Sequence, residues 1–267
     1  MNHGVDINKA DRKGRTPFLV AVTRSNIDIA ELLTKSSLHD VNVNKLDDQG
    51  MTPLMNVCKS EGKQSLIRFL LSKGACVNAV GKNDLTALKV ACEAENWECV
   101  DFLLEKGAVF IKDCTVKKML LDNSKVLVTA CKDGLKYILN EFLSPAFDLN
   151  SIIEDKFTLL MHACSKGNDE IVHILCNKGA DVNKINKNGL FPLMIALKNQ
   201  YIDTVTLLID HGAIVDLLYK NKCTPLMFAC QEGMLSGVKI LVSKGANNNI
   251  SINKLTPLSF ACKNEPI

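Results

Sequence analysis

The chain has 267 residues, of which 47% are hydrophobic and 5% aromatic, and its formal net charge is +3. This hydrophobic content is ample for a folded core, and so small a charge does not by itself indicate binding to nucleic acid or to a membrane surface. We find no secretory signal and no apolar stretch near the roughly 20 residues that a membrane-spanning helix needs. The sequence therefore predicts a protein that is neither secreted nor inserted in a membrane.

One short unit recurs along the chain. Each unit opens at a marker position, usually a Thr, and continues with two helical patterns that end at glycines, which adopt the left-handed conformation without a Cβ clash. Successive markers are 36, 34, 39, 33, 33, 33 and 32 residues apart. The markers are Thr16, Thr52, Thr86, Lys125, Thr158, Phe191, Thr224 and Thr256. A period in this range indicates supersecondary units stacked into one elongated domain, because such short helices cannot bury their apolar stripes alone.

In chain order, the repeats are expected at about 12–45, 48–79, 82–112, 121–151, 154–184, 187–217, 220–250 and 253–267. Residues 1–8 are interpreted as the end of a truncated repeat, and 253–267 as a partial one. The fourth repeat is degenerate and follows an insert over 110–123, where Lys117 to Leu121 indicate a turn of amphipathic helix. The insert is either a binding loop or variation in a tolerant loop, and the sequence does not choose between them.

The opening and closing motifs of these units resemble those of the ankyrin-repeat family. They include Thr52-Pro53-Leu54 and Thr224-Pro225-Leu226, and the G-A-x-V-N segments at 74–78 and 179–183. The resemblance covers nearly the whole chain and implies an all-α ankyrin-repeat solenoid, in which helix-turn-helix units are joined by β-hairpin-like finger loops. Four units depart from the family because Met replaces the His of its T-P-L-H motif, so we expect a weaker polar ladder between repeats. These residues are Met55, Met161, Met194 and Met227.

Cysteine usage indicates the compartment. Six of the 11 cysteines stand six residues after a marker, where the family has a small buried residue: Cys58, Cys92, Cys131, Cys164, Cys230 and Cys262. Equivalent positions on packed helices lie on the order of 10 Å apart, whereas a disulfide needs Cα atoms within about 7 Å. We interpret these residues as free buried thiols, which favours the cytoplasm or the nucleus over an oxidising compartment.

The sequence offers no catalytic motif. None of the five histidines stands in H-E-x-x-H or beside a candidate nucleophile, and no phosphate-binding glycine loop is present. We therefore predict no enzyme activity, no cofactor and no metal site, and we expect a monomer. The basic residues of the first repeat lack interleaved aromatics, so they give poor support for nucleic-acid binding.

The candidate binding surface is a concave groove formed by the finger tips and the exposed ends of the first helices. Its residues lie just before each marker and seven or eight residues after it. The candidate partner-binding residues are Arg12, Lys13, Arg15, Arg24, Asp48, Met51, Lys59, Lys82, Leu85, Glu93, Glu154, Asp155, Phe157, Lys166, Lys187, Leu190, Lys198, Lys220 and Gln231. Among them Met51, Leu85, Phe157 and Leu190 are expected to be exposed apolar residues beside a polar rim.

Two functions fit this surface. The first is a non-catalytic protein-interaction module that holds a protein partner in the groove. The alternative is the regulatory or targeting ankyrin arm of a larger enzyme or channel. The single tryptophan, Trp97, either covers the flank of the solenoid or anchors a partner.

Overall fold

The computed structural model describes residues 6–35, 40–111, 115–220 and 222–262, which fall into two compact units, Met1–Leu121 and Asp122–Ile267. Within these residues the chain is helical and forms no β-strand, as predicted; only two isolated bridges join Tyr219 to Cys223 and Ile252 to Leu255. The first unit contains α1 (Pro17–Thr23), α2 (Ile27–Lys35), α3 (Pro53–Cys58), α4 (Gln64–Ser72), α5 (Ala87–Glu93), α6 (Trp97–Glu105) and α7 (Thr115–Leu120).

The second unit continues the same alternation of first and second helices. It contains α8 (Ser124–Asp133), α9 (Lys136–Phe142), α10 (Leu159–Lys166), α11 (Asp169–Asn177), α12 (Pro192–Lys198), α13 (Ile202–Asp210), α14 (Pro225–Gln231), α15 (Leu235–Ser243) and α16 (Pro257–Cys262). Within each unit a first helix packs on its own second helix and on the first helix of a neighbouring repeat, as α10 does with α11 and α12. No described helix is long and apolar enough to cross a membrane.

The marker threonines start the first helices. The hydroxyls of Thr16, Thr52 and Thr86 each accept a hydrogen bond from the backbone N–H three residues on, at 3.1–3.2 Å, which satisfies one of the donors left free at a helix start. Pro follows several of these caps because its missing N–H costs nothing there. Lys125 is different: it lies inside α8, whose cap is the side chain of Asn123.

The insert before the fourth repeat contains the expected helix. The turn of amphipathic helix predicted there is α7, which packs on α5. Met119 on this helix is 76% exposed. At the other end of the insert, the side chain of Asp122 accepts hydrogen bonds from the backbone N–H and the hydroxyl of Ser144, at 2.8 and 2.6 Å.

The methionines that replace the family histidine are core residues. All four, Met55, Met161, Met194 and Met227, have 0% exposed surface. A thioether donates no hydrogen bond, so these residues contribute mainly packing, although the sulfur of Met55 accepts the backbone N–H of Thr52 at 3.4 Å.

Most of the repeated cysteines are also buried, but the prediction fails at the end of the second unit. Cys58, Cys92, Cys131 and Cys164 are buried, Cys230 is half-buried and Cys262 is exposed. Cys262 is the last residue of α16, which packs on α14. All ten described cysteines are free thiols.

A polar ladder does connect the repeats, along the loops that close them. In the first unit the amide of Asn78 donates to the carbonyl oxygen of Gly107 at 3.0 Å, and its Oδ1 accepts from the backbone N–H of Val109 at 2.9 Å. The same two bonds recur at Asn8, Asn44 and Asn183, each to the next repeat of its own unit. The ladder thus uses the Asn of the G-A-x-V-N closers rather than the position that Met occupies.

Candidate functional site

The first unit has an open concavity of about 390 Å³ between its second and third repeats. Gln49, Met51 and Leu85 line it from the finger loops. The ends of the first helices supply its other residues, Lys59, Val90, Glu93 and Ala94. Four of the predicted binding residues, Met51, Lys59, Leu85 and Glu93, are therefore brought together in one place.

The finger loops are held in position by backbone contacts. Oδ1 of Asp47 accepts from the backbone N–H groups of Gln49 and Met51, both at 3.0 Å, which closes the turn at Gly50. The next finger lies directly against it, because the N–H of Lys82 donates to the carbonyl oxygen of Gly50 at 3.2 Å. A Cβ at Gly81 would lie 2.0 Å from that oxygen, so only glycine permits this approach.

The apolar residues that were expected to be exposed are not fully exposed. Met51 is only 3% exposed and forms part of the core, which corrects the prediction that it is an exposed contact residue. Leu85, Phe157 and Leu190 are half-buried. Met51 and Leu85 line the concavity between the second and third repeats, whereas the ring centre of Phe157 lies 5.4 Å from that of His162 in its own repeat.

In the first repeat, the predicted basic cluster is partly neutralised. The Arg15 guanidinium donates two hydrogen bonds to Oδ2 of Asp11, at 2.9 and 2.7 Å. This pairing lowers the pKa of Asp11 to about 2. Arg12, Lys13 and Arg24 are exposed. Arg15 and Arg24 border a separate concavity of about 660 Å³ with Asp11, Val20, Ile29 and neighbouring residues.

In the second unit, three of the predicted lysines border the finger loops of the sixth and seventh repeats. Lys187 and Lys220 line an open concavity of about 550 Å³ with Asn186, Asn188 and Gly189. The ammonium groups of Lys198 and Lys220 lie 5.6 and 5.2 Å from the ring centre of Tyr219. Cations at this distance from an aromatic face are attracted to it.

The remaining predicted residues are not gathered with these groups. Glu154, Asp155, Lys166 and Gln231 are exposed in the second unit, and a carboxylate oxygen of Asp155 lies 3.4 Å from Nζ of Lys132. In the first unit Asp48 and Lys82 are exposed, and Nζ of Lys82 donates to the carbonyl oxygen of Asp48 at 2.9 Å. The structure thus places eight of the predicted residues at three separate concavities and the others outside them.

One repeated surface feature was missed by the sequence analysis. An aliphatic residue stands six residues before the marker in five repeats and is 36–52% exposed in each: Leu46, Val80, Ile152, Ile185 and Leu218. These residues lie at the base of the fingers, two positions after the closing Asn or its equivalent in each repeat. Aligning the repeats column by column would have found this position, because these five repeats all have Leu, Ile or Val there.

The titratable groups inside the core are held in uncharged forms. Burial raises the pKa of Cys131 and Cys164, so these thiols stay protonated and are poor nucleophiles. Burial, and then the charge of Lys132, lowers the pKa of His162, whose Nε2 lies 3.1 Å from the carbonyl oxygen of Glu154. Across the described ranges, no group of three or more His, Cys, Asp or Glu could hold a metal ion.

Helix pairs stacked in register, with abutting finger loops and an asparagine ladder, define a helical-repeat protein. A family model described as ankyrin repeats (3 copies) matches residues 35–118, 108–186, 127–219, 178–252 and 211–267. The chain therefore belongs to the ankyrin-repeat family, whose repeats are generally protein–protein interaction modules and typically non-catalytic. A search of curated proteins gives no match.

Proposed function

We propose that this chain is a non-catalytic module that binds a protein partner through the face made by its finger loops and first helices. The observation that carries the proposal is the concavity between the second and third repeats. It combines a half-buried apolar floor at Leu85 with two exposed charged residues, Lys59 and Glu93. Apolar centres with polar rims are typical of protein interfaces.

The two rim charges, Lys59 and Glu93, favour one orientation of a bound partner segment. Lys59 follows α3 and Glu93 ends α5, so opposite charges stand on neighbouring repeats. A partner with one acidic and one basic group flanking an apolar side chain complements this arrangement. Rim charges of this kind act mainly on the association rate and on partner choice.

The second unit supports a further contact of different chemistry. Lys187, Lys198 and Lys220 are all exposed, and the aliphatic row at Ile185 and Leu218 lies on the same finger loops. These residues favour a partner segment that carries acidic and aliphatic side chains. We also propose that the chain is monomeric and works in the cytoplasm or nucleus, which the free thiols support.

Photo-crosslinking in cells tests the proposal. A photoreactive amino acid replaces Glu93 in the concavity or, as the matched control, Ser65, an exposed residue of α4 that does not line it. We expect one discrete protein adduct from position 93 and none from position 65, and we expect Lys59→Glu to remove the adduct. Equal adducts from both positions, or no adduct from position 93, would show that this face is not the binding surface.

A further inference from the structure

Two histidines face each other across the interface between the fifth and sixth repeats. Nδ1 of His173, on α11, lies 3.0 Å from Nε2 of His211, which follows α13. The ring centres are 5.1 Å apart and the ring planes are inclined by 57°. The amide nitrogen of Asn177 lies 3.1 Å from the other nitrogen of His173.

The next interface uses different chemistry at the equivalent positions. His211 and Lys244 are 33 residues apart and each caps the second helix of its repeat. Lys244 forms an ion pair with Asp210, which stands where Asn177 stands one repeat earlier. At that interface Thr206 stands in the position of His173 and Lys244 in that of His211, so no imidazole pair can form there.

We propose that His173 and His211 bind a divalent transition-metal ion of tetragonal preference, Cu²⁺ or Ni²⁺, across this interface. Two nitrogens that are 3.0 Å apart and each about 2.0–2.1 Å from an ion, as for Zn²⁺, subtend roughly 95° at that ion. This angle suits neighbouring positions of a tetragonal site, whereas tetrahedral Zn²⁺ needs a wider one. His173 is exposed and His211 half-buried, so water can fill the remaining positions.

Binding needs a change of tautomer and a rotation of both rings, because each lone pair must turn roughly 40° away from the line between the two nitrogens to point at the ion. In the hydrogen-bonded pair one of the two facing nitrogens carries a proton, and the ion requires both lone pairs. The proton of His173 can move from Nδ1 to Nε2. The N–H at Nε2 then donates a hydrogen bond to the side-chain oxygen of Asn177, once that amide has flipped by 180°. Such outer contacts fix the tautomer of a histidine ligand.

The surrounding charges allow a cation at this place. Asp210 is adjacent to His211 in sequence and is already paired with Lys244. Glu170, one turn before His173 on α11, is paired with Lys136 at 2.6 Å. The described residues therefore supply two ligands of their own, both imidazoles.

The test is a Cu²⁺ titration of the full chain followed by electron paramagnetic resonance and calorimetry. All proteins carry His3→Gln, His39→Gln, Cys76→Ser, Cys114→Ser and Cys262→Ser, so that no imidazole or thiol at these positions binds or reduces the Cu²⁺. We expect one ion per chain with hyperfine coupling to two imidazole nitrogens. The matched control is Thr206→Ala, at the position of His173 in the following repeat, and it should bind as tightly as the parent.

The variants distinguish the two ligands, His173 and His211, from Asn177, which fixes the tautomer of His173. His173→Gln and His211→Gln should each remove the two-nitrogen signal, and Asn177→Ala should keep the signal but weaken binding about tenfold. Added Cu²⁺ should also slow amide exchange in α11 and α13 of the parent, but not in the variant that combines His173→Gln with His211→Gln. The proposal is overturned if that double variant binds as tightly as its parent or retains the two-nitrogen signal.

Discussion

Three repeats have an asparagine ten residues after the marker. These three residues allow the contribution of a helix cap to stability to be separated from that of the hydrogen bonds between repeats. Asn96 caps α6 through a bond from the N–H of Cys99 at 3.3 Å, and its amide also donates to the carbonyl oxygens of Cys58 and Ser60 in the preceding repeat, at 3.2 and 3.0 Å. Asn26 makes only the cap, with the N–H of Ile29.

Asn168 makes only the bridge between repeats. Its amide donates to the carbonyl oxygens of Cys131 and Lys132, both at 2.8 Å, and its side chain does not cap α11. Substitution of each asparagine by Ala therefore removes the cap, the bridge or both.

The expected costs follow from these contacts. A lost side-chain cap costs about 1 kcal/mol, and each net hydrogen bond contributes roughly 1 kcal/mol. Asn26→Ala should therefore lower the free energy of unfolding by about 1 kcal/mol, Asn168→Ala by about 2 and Asn96→Ala by about 3. Asn96 is only 4% exposed, so water does not readily replace its bonds.

Urea unfolding can assign each cost to its unit. Trp97 is the only tryptophan and lies next to Asn96, so its fluorescence reports the first unit, while circular dichroism reports both. Asn26→Ala and Asn96→Ala should lower the urea midpoint measured by fluorescence. Asn168→Ala should leave that midpoint unchanged and lower the midpoint measured by circular dichroism. If Asn96→Ala costs no more than Asn26→Ala, the bridging bonds contribute nothing and this reasoning is wrong.

Three further outcomes are expected. A maleimide should label Cys262 within the native chain and leave Cys164 unmodified until the chain is denatured, as mass spectrometry of the two peptides would show; equal labelling would contradict the burial. Because the pKa of His162 is lowered below 6.5 in the folded state, the unfolded chain takes up its proton first. Neutral His162 therefore contributes to the free energy of unfolding above about pH 6.5, and this contribution is lost as the pH falls. In urea titrations at pH 5 to 7, the free energy of unfolding of His162→Gln should thus fall less steeply with decreasing pH than that of the parent. Thr204→Val removes the bond from the buried Thr204 hydroxyl to Asp169 and should cost about 1.5 kcal/mol, whereas Thr206→Val, whose hydroxyl bonds only its own helix, should be nearly neutral by thermal unfolding.

The repeat period predicted the fold because it depends on local signals. Thr caps and apolar stripes specify each helix within a few residues, and α1 to α6 begin and end inside the predicted repeats. The fourth repeat shows the limit of this approach. Its marker was placed at Lys125, but Asn123 caps α8, and a capping Asn is as effective as Thr.

The binding residues were harder to predict because their exposure depends on the neighbouring repeat. The sequence places Met51 just before a marker, which suggests a surface residue. In the folded chain it is only 3% exposed, a burial that depends on tertiary packing and not on its place in the motif. The pairing of Arg15 with Asp11 and the contact of His173 with His211 likewise join side chains that no motif connects.

The asparagine contacts also indicate which polar links between the repeats are strongest. A thioether in place of the family histidine removes one inter-repeat donor, and the exposed asparagine ladder replaces it at a position where water competes. The buried bridges are therefore the stronger polar links, and one of them joins the fifth repeat to the irregular fourth through Asn168. The sixth and seventh repeats have Tyr201 and Met234 at that position, and neither side chain caps its helix. An irregular sequence is thus compatible with a firmly attached repeat, and the regular repeats after it depend more on apolar packing.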